Sequence, residues 1–188
     1  RTYYSNNTIP DKESLTTSQR SAIQLLTSRN YLTTPVQQTM EKKDKRLYSV
    51  LRGYSSSLSS GMVVEDQYYC KGTDKYEKRI SYNKYDIYGN PVYINKDGAE
   101  KVVYLWGYKG QYLLAEIKGA TYEEVKKALM VDPASMSSCI LPSIPLYLNM
   151  IDNLYKALPS ALITSYTYHP LIGVSGIISP NKAKTTFE

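Results

Sequence analysis

Turn residues recur at even intervals between tyrosine-rich apolar runs from Tyr85 to Thr121. Gly89-Asn90-Pro91, Asp97-Gly98 and Lys109-Gly110 are the breaks. Asp-Gly between alternating runs is a strong hairpin signal, because a tight turn needs positive φ, which Gly adopts freely and Asp tolerates. The pattern predicts three consecutive antiparallel strands, Val92–Lys96, Lys101–Tyr108 and Gln111–Lys118. Upstream, Pro35–Met40, Leu47–Tyr54, Met62–Cys70 and Tyr76–Tyr82 read as strands, although their alternation is imperfect. Ser55–Gly61 reads as a flexible loop and Cys70–Lys75 as a turn.

Helical spacing appears in three places. Ser18–Arg29 carries Ala22, Ile23, Leu25 and Leu26, with Thr17 or Ser18 as the cap and Asn30 as a left-handed stop. Thr121-x-x-Glu124 is a capping box that opens a helix running to Met130. Asp132–Ser138 breaks that helix, and Ile144–Leu158 forms the next, with Pro145 in its first turn and Pro159 at its end. Residues 1–16 read as a polar arm or linker, 17–120 as a helix plus antiparallel meander, 121–160 as a helical insertion and 161–188 as a second, truncated hairpin unit. The expected fold is mainly β (α+β by content): an antiparallel hairpin meander with two or three short helices packed on one face.

Composition sharpens this picture. At 188 residues, with 42% hydrophobic and 21% charged residues, the chain is globular. It holds 20 Tyr against one Phe and one Trp, a bias suited to broad pleated sheets with cross-strand aromatic pairs. The net charge of +6 is spread along the chain, and its densest run, Glu41–Arg46, contains its own acids and reads as a hairpin tip. A nucleic-acid partner is not expected, since such binders gather their bases on one face. No stretch approaches the length of a membrane span. Cys70 and Cys139 allow one bridge at most, and two buried free thiols is the favoured reading. With a single His there is no Cys/His metal set, and no cofactor is expected.

Candidate chemistry is sparse. His169 is the only possible triad base, and it sits on an apparent strand before Pro170. Nothing in the spacing of Glu65, Asp66, Asp86, Asp97 and Glu116 singles out a catalytic pair. Gly107-x-x-Gly110 and Gly173-x-x-Gly176 lie in hairpins and read as packing features. No catalytic residue is assigned, and the chain is not expected to be an enzyme. Tyr104, Trp106 and Tyr108 fall on one face of a predicted strand. Exposed, they would be a ligand platform; under the helix at Ile144–Leu158 they would be core, the favoured reading because large apolar patches are rarely left open. Asn6-Asn7-Thr8 matches a glycosylation sequon and carries no weight.

A loose internal repeat adds a further clue: Tyr166 and Tyr168 precede Gly173 much as Tyr82 and Tyr85 precede Gly89. The unit Tyr85-Asp86-x-Tyr88-Gly89-Asn90, with Asp97-Gly98 and then Tyr104, resembles one unit of the bacterial RHS (YD) repeat. Tyr104–Val125 and the stretch from Leu158 to Pro180 resemble the pre-core part of large secreted RHS-repeat proteins, and the likeness extends over residues 29–188. It implies a non-catalytic strip of hairpins, exported or at the cell surface, that helps build a shell around a C-terminal cargo. Its partners would be neighbouring repeats, with self-association through the C-terminal edge strand or binding of a glycan or surface protein as further expectations. The departures are specific. Asn90 stands where the repeat usually has Arg, and Ser179-Pro180-Asn181-Lys182 replaces the usual Asp-Pro-x-Gly turn, which is expected to be open or irregular. The family's self-cleaving core and toxin tip have no counterpart here, so neither activity is implied. The first residues, Arg1-Thr2-Tyr3, read as a piece of something longer, and Thr185–Glu188 as the start of a strand whose partner lies beyond it.

Overall fold

The computed structural model describes residues 1–57, 61–138, 144–169 and 172–187. Its strands are β1 (Thr2–Tyr4), β2 (Pro35–Lys42), β3 (Lys45–Ser57), β4 (Gly61–Lys71), β5 (Glu77–Tyr85), β6 (Pro91–Lys96), β7 (Glu100–Gly107), β8 (Tyr112–Lys118), β9 (Leu162–His169), β10 (Gly173–Ile178) and β11 (Lys184–Thr186). Three α-helices join them: α1 (Thr17–Ser28), α2 (Tyr122–Leu129) and α3 (Ile144–Ala157). Strand order in the sheet is chain order from β1 to β11, so the fold is the mainly β meander that the turn spacing predicts. The chain divides into two compact units, Arg1–Tyr82 with Lys96–Gly98, and Asn83–Asn95 with Ala99–Glu188.

In the first unit the β2–β3 hairpin turns at Lys43 and Asp44, both left-handed (φ 49° and 59°), and the charged run at 41–46 is its tip. The β3–β4 pair is longer than expected. Ser55, Ser56 and Ser57 pair with Val63, Met62 and Gly61, so most of the predicted flexible loop is strand, and residues 58–60 lie outside the described residues. Serine adopts extended backbone readily, and the ladder supplies the bonds that its composition alone does not reveal. Residues 1–16, expected as an arm or linker, are instead knitted in. Thr2 pairs with Gln38, a short 3-10 turn forms at Lys12–Ser14, and Ile9 and Leu15 are buried. The cap of α1 is Thr16 and not the predicted Thr17 or Ser18, because Gln19 completes a capping box with it. Asn30 is left-handed (φ 61°), as predicted. Ala22, Ile23 and Leu26 of α1 pack with Ile9 and Leu15 over Val36, Leu51 and Tyr54.

In the second unit Val103, Leu105, Ala115, Ile117 and Ile163 form the sheet side of a core. Val125 and Leu129 of α2 and Tyr147, Ile151 and Leu154 of α3 cover it. The helical insertion thus buries one sheet face, as expected. The buried stripe of α3 centres on Tyr147, Ile151 and Leu154, while Leu148, Tyr155 and Leu158 flank it as partly buried neighbours. At the centre of the stripe the Tyr147 hydroxyl donates to the Leu114 carbonyl (2.5 Å) and lies 3.1 Å from the Tyr166 carbonyl. The capping box at Thr121 and Glu124 is formed, and left-handed Met130 (φ 58°) closes α2. The Ser179–Lys182 turn, expected to be open or irregular, is closed: the Lys182 amide donates to the Ser179 carbonyl at 2.8 Å, and Lys182 is left-handed (φ 65°). β11 pairs with β10 through Thr186, Thr185 and Lys184, and the Phe187 amide continues the ladder to Ser175.

Candidate functional site

A densely hydrogen-bonded loop follows β5. Asp86 is 1% exposed and its carboxylate serves as the hub of the turn. Oδ1 accepts from the backbone amides of Tyr88 (2.9 Å) and Asn90 (2.8 Å), and Oδ2 accepts from Asn90 Nδ2 (3.1 Å). The other Asn90 amide proton reaches the Gly110 carbonyl at 2.8 Å, tying this loop to the β7–β8 turn. Gly89 sits at φ 86°, a conformation that a side chain would strain. Asn90 thus clamps the carboxylate with its side-chain amide. Just beyond it, Trp106 Nε1 donates to the Pro91 carbonyl at 2.8 Å.

The three aromatics singled out from sequence do not form one face. Val103 and Leu105 point into the helix-covered core, so Tyr104 and Trp106, between and beyond them on β7, face the other way and are half-buried. Tyr108 leaves the strand altogether. The turn begins one residue earlier than predicted, with Tyr108, Lys109 and Gly110 all at positive φ (52°, 58° and 75°). Its ring instead meets Tyr112 edge-on (centroids 5.0 Å apart) and approaches Tyr168 at 6.3 Å. Tyr112 and Tyr168 are 4.7 Å apart, and the Tyr168 hydroxyl donates to the Leu113 carbonyl at 2.7 Å. Burial raises the Tyr108 and Tyr168 phenols above their ordinary value, so both stay neutral.

The first unit holds two buried polar networks. In one, Gln19, fully buried, lies over Gly53, where a Cβ would come within 2.3 Å of the amide carbon. Its Nε2 donates to Glu65 (2.9 Å) and Asp66 (3.0 Å), and Ser81 donates to Asp66 at 2.8 Å. In the other, Gln37 and Ser49 are fully enclosed beside Thr39, Asp11 and Tyr76. Arg46 pairs with Asp11 at 3.0 Å. Burial is the main cause that raises the Tyr76 phenol, partly opposed by a hydrogen bond with Ser49 and reinforced by Asp11. These networks escaped sequence reasoning, although a signal exists. Gln37, Thr39 and Ser49 occupy inward positions that a simple alternation reserves for apolar residues, and they are what makes the β2–β3 pattern imperfect.

The other candidates are dispersed. His169 is exposed at the end of β9, and its carbonyl accepts from Ile172. Glu116 pairs with Lys118 (2.8 Å) and Asp97 with Arg79 (2.9 Å), while Glu65 and Asp66 belong to the Gln19 network. Gly107 makes room for Leu114, and Gly176 lies against Thr167. Cys70 is a buried free thiol donating to the Asp74 carbonyl, and Cys139 lies outside the described residues. Among the described residues no three His, Cys, Asp or Glu gather as a metal would need, and no helix is long and apolar enough to cross a membrane. An open groove of about 800 Å³ runs beside α1, lined by residues such as Thr8, Lys12, Arg20 and Gln24. No protein-family model, curated protein or solved structure matches the chain.

Proposed function

We propose that this chain is a non-catalytic structural segment of an exported bacterial RHS-repeat protein, contributing hairpins to a scaffold or shell. One observation carries the reading: the Tyr-Asp-x-Tyr-Gly-Asn unit is a carboxylate-locked corner within a sheet whose strands add in chain order. Such a sheet grows by covering each edge with the next strand. The edges of the sheet are β1 and β11, each three residues long. Further strands of the same longer chain are the natural partners of these edges, and a second copy is the alternative occupant of β11. The reading is tested by the natural reading frame around this segment and by its export. An export signal and further Tyr-Asp units would support it; a frame that holds neither would overturn it.

A second reading, a glycan- or protein-binding module using a tyrosine-rich sheet face, is favoured by a different observation. Tyr48 and Tyr69, on adjacent strands, stack at 5.9 Å and 20°, half-buried, beside Gln38 and Arg52. A flat aromatic strip fringed by polar groups is a surface on which a sugar ring can stack. Saturable retention on a glycan array, lost in Tyr48→Ala, would favour this reading; no retention on any glycan would favour the scaffold.

A further inference from the structure

We propose that Tyr112 of β8 and Tyr168 of β9 are a site of oxidative cross-linking, at which the two phenol rings are joined carbon to carbon as dityrosine. Their ring centroids lie 4.7 Å apart, with the planes 33° from parallel. Rings at that separation and tilt touch and overlap in part. Coupling of two phenoxyl radicals needs such overlap of their π faces. Tyr48–Tyr69 and Tyr93–Tyr122 are wider, at 5.9 and 6.0 Å. Tyr108 stands on Tyr112 edge-on at 85°, an arrangement in which the faces do not overlap. The backbone also holds the closer pair in place: β8 and β9 pair from Lys118 with Leu162 to Ala115 with Ser165, and the Tyr168 hydroxyl is tied to the Leu113 carbonyl at 2.7 Å. A pair kept in contact reacts ahead of tyrosines that must first find each other.

The step balances with one outside reagent, hydrogen peroxide acting through a haem peroxidase. Each phenol gives up one electron and its hydroxyl proton. A phenol that has lost an electron is a strong acid, so no positioned base is needed. Both rings are half-buried, and water at their exposed edges takes the protons. The two radicals pair their electrons in a bond between the ring carbons ortho to the oxygens. Each of those carbons then releases its hydrogen as a proton, and each oxygen regains one. The tyrosines together are oxidised by two electrons and lose two hydrogens, while the peroxide gains both and leaves as two waters. The bond closes a loop that contains all of α2 and α3. A cross-link across a long loop stabilises mainly by restricting the unfolded chain, so the helical insertion is locked onto the two strands that flank it.

The test treats the folded, purified chain with a haem peroxidase and limiting hydrogen peroxide, then isolates the monomer. The expected product is two hydrogens lighter than the sequence, shows dityrosine fluorescence, yields a branched peptide joining the segments that contain Tyr112 and Tyr168, and melts at a higher temperature. Tyr112→Phe and Tyr168→Phe, each checked for folding by circular dichroism, keep their full mass, whereas Tyr48→Phe cross-links as the wild type does. In urea the preference for this pair disappears. A monomer without a cross-link overturns the proposal, as does a branch mapped to another pair, a cross-link that persists in the folded Phe variants, or an equal yield of the same branch in urea. Should a Phe variant fail to fold, the branch map of the wild type in buffer and in urea decides alone.

Discussion

Replacing Asp86 with Ala removes the acceptor around which the β5–β6 corner is built. The carboxylate holds two backbone amides at 2.9 and 2.8 Å and the Asn90 side chain at 3.1 Å, and it is 1% exposed. A hydrogen bond to a charged group contributes about 1.5–3 kcal/mol. Neighbouring Ile87 and Tyr88 are 54% and 46% exposed, so water can reach the freed amides and recover part of that loss. The expected destabilisation is about 3 kcal/mol, large for a single change outside a core. Asp86→Asn keeps an oxygen for the two backbone amides but sets its own NH2 against that of Asn90, for a loss of about 1–2 kcal/mol. Urea unfolding followed by fluorescence reads this directly. Trp106 is the only tryptophan, and it is bonded to Pro91 at the edge of the corner. If Asp86→Ala unfolds within about 0.5 kcal/mol of wild type, the carboxylate is not the organiser of the turn.

Three further outcomes are expected. Gly53→Ala places a Cβ 2.3 Å from the buried Gln19 amide and must displace it from Asp66, lowering the stability of the first unit by about 1–3 kcal/mol in a urea melt; an unchanged melt would contradict that packing. Thr121→Ala breaks the capping box of α2 and costs about 1 kcal/mol, whereas Thr121→Ser restores most of it. Burial pushes Asp132 up, but bonds from Tyr122, the Ala134 amide and Lys126 more than offset this, leaving it below its ordinary 3.8. Its contribution is therefore complete above that value and is lost as the pH falls through the lower folded value. Tyr122→Phe should shrink this acid-induced loss, and identical acid profiles for the two chains would refute the link.

The pattern of turns was legible because hairpin turns depend on local chemistry: Asp97-Gly98 does turn with both residues at positive φ (49° and 72°), and Thr121 with Glu124 does cap a helix. Features set by tertiary partners were not. Residues 1–16 look like an arm by composition, yet β2 offers a ladder edge for Thr2–Tyr4 and α1 offers apolar cover for Ile9 and Leu15. Tyr108 satisfies a two-residue period, but the turn takes it into left-handed backbone, and its ring finds Tyr112 and Tyr168 instead of Trp106. The Gln37 network is hidden for a related reason: its members lie far apart in sequence, at positions 11, 37, 49 and 76, and strand pairing with the N-terminal loop brings them together. Asp86 is visible as half of a Tyr-Asp pair, while its bonds from Tyr88 and Asn90 depend on the backbone path through Gly89.

The central claim, that this chain is one stretch of a strip built strand upon strand, is tested most directly by native-state amide hydrogen exchange at β11. The measurement compares the chain alone with the chain joined to the residues that follow it in its natural reading frame. Lys184, Thr185 and Thr186 are exposed and, among the described residues, pair with β10 alone. The account predicts that the natural continuation slows exchange across Lys184–Phe187 by at least about tenfold, equivalent to about 1.4 kcal/mol of added local stability, and raises the melting temperature. Exchange at β11 that is the same in both chains would contradict it, and would make the segment a self-contained domain with β11 as its true edge.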